Sequence, residues 1–329
     1  MASSEIDVAV IGLEAFGLVA LKNLREEGFN ATGFDKNLYV GGLRQFTEKD
    51  QTSVLEFTIV NISKERGCFT DFPFPKGKHR QTKSHASAAD VQKYLSDYAA
   101  HYELLPHIQL GTNVLNLARD DQNKKWALNV VTAHNVNSLL LFDKVVVATG
   151  TNHRPVVPFL KGQEIYKGRI LHSWGFKRRD KRVMVIGIGN SAADTATSLV
   201  GIAKEIFLSH RHGAYIVPRS QPNGQPLDHG LTYRKIRMSL TLQRHLPQLW
   251  EAMSNNMLAK IQNASVKLKP EWRINPAPSF VHNVPTVTDT LIPALEKGQI
   301  ESVENAEKII GEFAVQLADG KVVELDTFI

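Results

Sequence analysis

The sequence predicts an α/β fold built on two parallel sheets. Three observations carry this: short apolar runs ending in glycine turns near residues 12 and 187, a helical apolar pattern after each turn, and a further short strand-like run after each helix. Strand, turn, helix and parallel strand in that order make a βαβ unit.

The first unit opens with Ile6 to Ile11, a mostly apolar run expected of a buried parallel strand. Gly12 to Gly17 makes the turn. Leu18 to Glu27 places Leu18, Leu21 and Leu24 near one helical face, and Asn30 to Phe34 is the returning strand, ending at Asp35. Gly41-Gly42 marks another turn. Residues 48–85 are irregular and contain Phe72-Pro73-Phe74-Pro75. Ala89 to Tyr102 is helical in spacing, with Val91, Tyr94, Leu95 and Tyr98 on one face. Ala127 to Thr132 and Leu139 to Ala148 read as strands, the second ending at Thr149-Gly150, and the Pro155 and Pro158 region reads as a linker. In the second unit Arg182 to Ile186 is a strand, Gly187 to Gly189 a turn, Ser191 to Lys204 a helix and Glu205 to Ser209 a strand. Residues 230–265 are mostly helical in pattern. Ile309 to Ile329 reads as a β-meander with a turn at Asp319-Gly320, and the sequence stops at Ile329 in what reads as mid-strand.

The chain has 329 residues, enough for two domains, placed at 1–154 and 155–329. The net charge of +6 favours anionic ligands such as phosphates and is too small to argue for nucleic acid. The basic run from Lys177 to Arg182 reads as a solvated loop. A single cysteine, Cys68, excludes an internal disulfide and suits a reducing compartment. Met1 to Ser4 lack the marks of a signal peptide, and no apolar stretch reaches the roughly 20 residues of a membrane span, so a cytoplasmic location is expected.

Both glycine turns resemble the dinucleotide fingerprint Gly-x-Gly-x-x-Gly, which lies between strand and helix with an acid about 20 positions on. The chain is therefore expected to contain two dinucleotide-binding (Rossmann-like) domains with parallel sheets and β-meanders. In the first fingerprint Gly12 and Gly17 hold the outer positions and Asp35 is the acid for the adenosine ribose. Glu14 occupies the second glycine's place. Its carboxylate is expected to repel a pyrophosphate by about 1 kcal/mol in water and about 4 kcal/mol near a protein surface, weakening binding. The second fingerprint has Gly187 for the turn, Gly189 for close approach, and Ala192 as the third small residue. Asn190 and Ser191 open the helix that would face the phosphates. After the next strand comes His210-Arg211-His212, in which Arg211 suits a 2′-phosphate, favouring NADP over NAD.

Between the fingerprints, Tyr166-Lys167-Gly168-Arg169-Ile170-Leu171-His172-Ser173-Trp174-Gly175-Phe176 resembles the signature Phe-x-Gly-x-x-x-His-x-x-x-aromatic of the flavin-containing monooxygenases and related Baeyer–Villiger enzymes. Gly41-Gly42-Leu43, Asn61 to Glu65, Cys68 to Pro75, His85 and Pro285 to Asp289 also resemble this family. The resemblance implies FAD in the first domain and NADPH in the second. It also implies a flavin C4a-hydroperoxide that passes one oxygen of O₂ to a small organic substrate, by nitrogen or sulfur oxygenation or by Baeyer–Villiger insertion. Carried over residue by residue, Asn61 is the flavin-side catalytic asparagine. Gly42, Leu43, Arg44 and Thr149 join Gly12, Glu14, Gly17 and Asp35 around FAD. His172 is expected to be structural. The partners expected are the substrate and O₂, with homo-oligomerisation open and no metal.

The sequence departs from the family at several places. Glu14 replaces a glycine, Arg44 replaces the tryptophan that usually follows Gly-Gly-Leu, Val60 sits where the vertebrate enzymes have threonine, Tyr166 stands in for the signature Phe, and the chain stops before the expected return segment of the FAD domain, as a C-terminally truncated member would. These departures motivate an alternative, a catalytically impaired NADP(H)-binding relic or interaction protein with weak or no FAD binding. His210 and His212 lack a third ligand at metal-site spacing, and no Gly-x-Ser-x-Gly elbow is present.

Overall fold

The computed structural model describes residues 6–47, 53–75, 84–122, 124–151, 155–176 and 182–329. Met1 to Ser4 and Lys177 to Lys181 of the basic run lie outside these. The chain divides into two units. The first takes the described residues up to Ile59, Cys68 to Pro75, and Ala86–Pro155; the second takes Val60–Gly67, Ser84, His85 and Val156–Ile329. The main boundary follows Pro155, and two short excursions from the N-terminal half join the second unit.

In chain order the N-terminal half forms β1 (Asp7–Ile11), α1 (Ala15–Glu26), β2 (Asn30–Phe34), β3 (Ile59–Ser63), β4 (His85–Ser87), α2 (Ala88–His101), β5 (Ile108–Gln109), β6 (Thr112–Asp120), β7 (Lys125–Thr132), β8 (Asn137–Phe142) and β9 (Lys144–Val147). A four-stranded parallel sheet has the order β5-β2-β1-β9. β1 is central, and its Val8, Ala9 and Val10 are all buried, which is why it reads as an unbroken apolar run. On one side of the sheet, Leu18 and Leu21 of α1 pack with Tyr94, Leu95 and Tyr98 of α2. On the other, Ala9 and Phe34 pack with Leu128 and Val130 of the antiparallel meander β6-β7-β8. α2 starts at Ala88 because Ser87 and Asp90 close a capping box, each side chain accepting from the other's backbone N–H (3.1 and 3.0 Å).

Two expectations need correction here, and one strand, β6, is unexpected. Leu139 to Ala148 is two strands in different sheets, broken at Asp143, whose carboxylate accepts from Asp7 N–H (3.0 Å) while its own N–H donates to Asp7 O (3.0 Å). β6 is nine residues long yet shows no clean alternation, because pairing with β7 rather than burial of a face recruits it. Residues 48–85 are not wholly irregular, since they contain β3 and the start of β4.

The second half forms β10 (Arg169–Ile170), β11 (Arg182–Ile186), α3 (Asn190–Ser198), β12 (Glu205–Ser209), β13 (Ile216–Val217), α4 (Tyr233–His245), α5 (Pro247–Ser265), β14 (Thr286–Val287), α6 (Leu291–Glu296), β15 (Glu301–Val303), β16 (Ala306–Ile309), β17 (Ala314–Leu317), β18 (Val322–Glu324) and β19 (Thr327–Phe328). Its parallel sheet has the order β10-β19-β11-β12-β15. α3 is shorter than expected: it stops at Ser198, and Gly201 turns the chain with a left-handed φ of +79°. The expected C-terminal meander is β16-β17-β18, but the last residues leave it. β19 inserts between β10 and β11, where buried Phe328 joins Met184 and Val315 in the core. Among the described residues no helix is long and apolar enough to cross a membrane.

Candidate cofactor-binding sites

In the first unit the glycine turn after β1 is held by packing. A Cβ on Gly12, whose φ is +93°, would lie 2.6 Å from Ala148 O and 3.2 Å from the Cα of Thr149. A Cβ on Gly17 would lie 1.7 Å from Gly12 O. The two outer glycines therefore let α1 and β9 close on the turn. Asp35, nearly buried, accepts from Leu13 N–H (2.8 Å) and Asn37 N–H (2.9 Å), so it braces the turn with lone pairs to spare for a hydroxyl. The first α1 amide bonded to a backbone acceptor is Leu18 N–H, on Glu14 O (3.0 Å); those of Ala15, Phe16 and Gly17 have no backbone acceptor among the described residues, as expected of a helix start. Exposed Phe16, Leu38 and Val147 lie at the carboxyl end of this sheet and supply apolar surface there.

Glu14 corrects the expectation of an unopposed carboxylate. Its Oε1 accepts from Arg44 Nε (3.0 Å), so its charge is paired. A Cβ on Gly42 (φ +57°) would meet Glu14 Oε2 at 2.9 Å, so the bare glycine is what makes room for the glutamate. The Gly41-Gly42-Leu43 turn is tied to the fingerprint by Gly41 N–H donating to Leu13 O (3.0 Å), and Leu43 O accepts from Val54 N–H (3.0 Å). Gly12, Glu14, Gly17, Asp35, Gly42, Leu43, Arg44 and Thr149 are thus gathered at one end of one sheet.

The second unit repeats the turn with a different centre. Gly187 adopts a φ of +113°, and a Cβ on Gly189, which caps α3, would meet nothing within 4 Å. Asn190 is the hub: its Oδ1 accepts from Val287 N–H (2.8 Å) and from Asn61 Nδ2 (3.0 Å), and its Nδ2 donates to Pro285 O (3.3 Å). Thr286 Oγ1 donates to Ile188 O (2.6 Å), fastening β14 beside the turn. Asn61, expected with the first domain, stands instead beside the second fingerprint, because Val60–Gly67 belongs to the second unit. Ser191 and Arg211 are exposed, Arg211 following β12. The preceding His210 is buried, with Nδ1 at 3.0 Å from His212 O and Nε2 at 2.9 Å from Ser302 Oγ; burial pulls its pKa below the usual histidine range. His172 is a cap whose Nδ1 accepts from Trp174 N–H (3.3 Å).

A buried polar cluster in the same unit joins segments far apart in the sequence. The backbone N–H of Arg219 and its Nη1 reach the Asp289 carboxylate (2.9 and 3.3 Å), and Nη2 lies 3.9 Å from Asp194. Asp228 accepts from Ser63 N–H (2.8 Å). Arg219 Nε, Asp228 Oδ1, Ser63 Oγ and His85 Nε2 are buried without a hydrogen-bond partner among the described residues. Burial pushes the Asp194 carboxyl up, with Arg219 opposing, and pulls the His85 imidazole down. Ser63 and Asp228 are 165 residues apart, a distance no local motif bridges. Among the described residues no group of three acidic, histidine or cysteine side chains could hold a metal.

A family model described as flavin-binding monooxygenase-like matches residues 5–329. The chain is 45% identical over 327 residues to the monooxygenase aurF of Gibberella zeae, covering 98% of this chain and 61% of that protein. The chain thus spans about three fifths of that relative's length. Among solved structures it resembles the S-allyl-L-cysteine S-oxygenase of Allium sativum (TM-score 0.67, 18% identity, 100% of this chain and 62% of that one). It also resembles the cyclohexanone monooxygenase of Rhodococcus sp. Phi1 bound to NADP⁺ (TM-score 0.68, 16% identity, 99% and 70%).

Proposed function

The chain belongs to the flavin-binding monooxygenase-like family, and on that premise we propose that it serves an FAD- and NADPH-dependent monooxygenation of a small organic substrate. The reaction consumes substrate, O₂, NADPH and H⁺ and yields oxygenated substrate, H₂O and NADP⁺. When bound, FAD supplies the redox and O₂ chemistry; the chain supplies binding, orientation and exclusion of water. The observation that carries the reading is the presence of two glycine-turn sites on one chain, each with a strand, a helix start and a pairing residue in place.

The first unit, centred on residues 1–154, is assigned to FAD. The amides of Ala15, Phe16 and Gly17 at the start of α1 would hold its pyrophosphate, Asp35 would accept from a ribose hydroxyl, and Gly42, Leu43, Arg44 and Thr149 would line the rest. The second, centred on 155–329, is assigned to NADPH, with Gly187, Gly189, Asn190 and Ser191 at the pyrophosphate and Arg211 at the 2′-phosphate. Asn61 is assigned the catalytic position. Its hydrogen bond to Asn190 fixes the orientation of an amide that can bond the reacting centre without adding a competing acid. The proposal covers sulfur oxygenation, nitrogen oxygenation and ketone insertion.

The test is the visible absorbance of the purified protein before and after incubation with FAD and desalting, followed by NADPH oxidation with amine, sulfide and ketone panels. A retained flavin band with substrate-dependent NADPH and O₂ consumption supports the proposal. A colourless protein that still binds NADPH overturns it in favour of an NADP(H)-binding relic.

A further inference from the structure

The two departures at the first fingerprint, a glutamate in place of the second glycine and an arginine after Gly-Gly-Leu, are 30 positions apart and meet in space at 3.0 Å. We propose that Glu14 and Arg44 act as one unit, in which Glu14 positions Arg44 and Arg44 takes over the pyrophosphate-binding role of the lost glycine. This rests on the reading of the first unit as the FAD site.

The geometry supports a bridge rather than a block. Glu14 engages Arg44 through Nε, while no hydrogen bond from Nη1 or Nη2 is found among the described residues. A guanidinium carries five donors in a planar fork, so one edge can hold a carboxylate while the other faces a phosphate. Glu14 is also fixed from below, since its side chain lies over Gly42 within the distance a Cβ there would need. Both side chains are about one-third exposed, so the fork is reachable from solvent. They stand at the start of α1, where the free amides of the first turn favour an anion. A phosphate at this corner meets a cation whose charge already cancels that of Glu14.

The arrangement has a consequence opposite to that of a lone obstructing carboxylate. Neutralising Glu14 gains little, because its charge is already met. Removing Arg44 from the wild-type background does two kinds of damage: it takes away the phosphate's donor and leaves Glu14 facing the phosphate unopposed. Removing Arg44 where Glu14 is already neutral does only the first.

The experiment is a double-mutant cycle on the apoprotein with Glu14→Gln, Arg44→Gln and the double variant, each first shown to be folded by circular dichroism and thermal melting. FAD binding is read by flavin fluorescence, and ADP and adenosine binding by calorimetry. E14Q, whose amide oxygen can still accept from Arg44 Nε and so keeps Arg44 in position, is expected to shift FAD affinity by no more than about threefold, R44Q to weaken it about 100-fold, and R44Q placed in E14Q about 10-fold. The same coupling is expected with ADP and not with adenosine, which lacks the pyrophosphate. Additive effects, a gain of tenfold or more from E14Q alone, or equal coupling with adenosine would overturn the inference while leaving the FAD site standing. Failure of wild type and all variants to bind FAD or ADP would overturn the FAD reading and the inference together.

Discussion

At the scale of single residues, glycines with the same sequence signature do different work. A Cβ on Gly17 would sit 1.7 Å from a backbone oxygen, whereas one on Gly189 would meet nothing within 4 Å. Gly17→Ala is expected to destabilise the fold by about 3 kcal/mol, read as a lower urea midpoint. Gly189→Ala, at an extended backbone position, is expected to cost the fold no more than about 1 kcal/mol yet to weaken NADPH and NADH alike by about tenfold, because its space is for the ligand. Arg211→Ala should instead lower NADPH affinity about 10- to 100-fold and leave NADH within about twofold. Equal losses for both nucleotides would remove Arg211 from the 2′-phosphate. These candidate positions could be named from spacing alone. The partner of Glu14 could not, because sequence distance carries no information about which cation a side chain reaches.

At the scale of elements, the best-read segments were those whose own pattern carries the reason for their structure. β1 and β11 are short, mostly apolar strands that run into glycine turns, β2 and β12 return beside them, and α2 carries an apolar face. β6 carries no pattern of its own because its reason to exist lies in its neighbour, and β8 and β9 read as one strand because only an Asp-Lys step separates two apolar runs that belong to different sheets. The Phe-Pro-Phe-Pro segment is held on α2 by Tyr94, whose hydroxyl donates to Phe72 O (2.6 Å) and accepts from Phe69 N–H (2.8 Å), with Phe74 stacked at 4.1 Å. Burial pushes the Tyr94 phenol up from 10.0 to about 12. Its folded pKa lies above the unfolded one, so its stabilisation is complete below pH 10 and is lost as pH rises through about 12. Tyr94→Phe is expected to cost about 1–3 kcal/mol at neutral pH and to flatten the alkaline loss of stability, measured as urea midpoints against pH. An unchanged alkaline slope would assign that loss to other groups.

At the scale of the whole molecule, the second unit is not one continuous stretch of chain. Val60–Gly67 completes it: Ser63 N–H binds Asp228, Arg66 binds Leu231 O, Glu65 pairs with His229 and Asn61 with Asn190. Residues 156–329 expressed alone are therefore expected to bind NADPH more weakly than the intact chain and to unfold at lower urea. Equal affinity and stability would make that excursion dispensable. The sequence by itself determined the two βαβ units, their glycine turns and the family signature between them, because strand and helix periodicity and turn chemistry act over a few residues. Only the tertiary structure decided that Asn61 stands with Asn190, that Arg44 answers Glu14, that Arg219, Asp228 and His85 share one buried cluster, and that the final strand enters a parallel sheet. These are contacts between distant segments, formed by packing and charge pairing in three dimensions, and no local pattern encodes them.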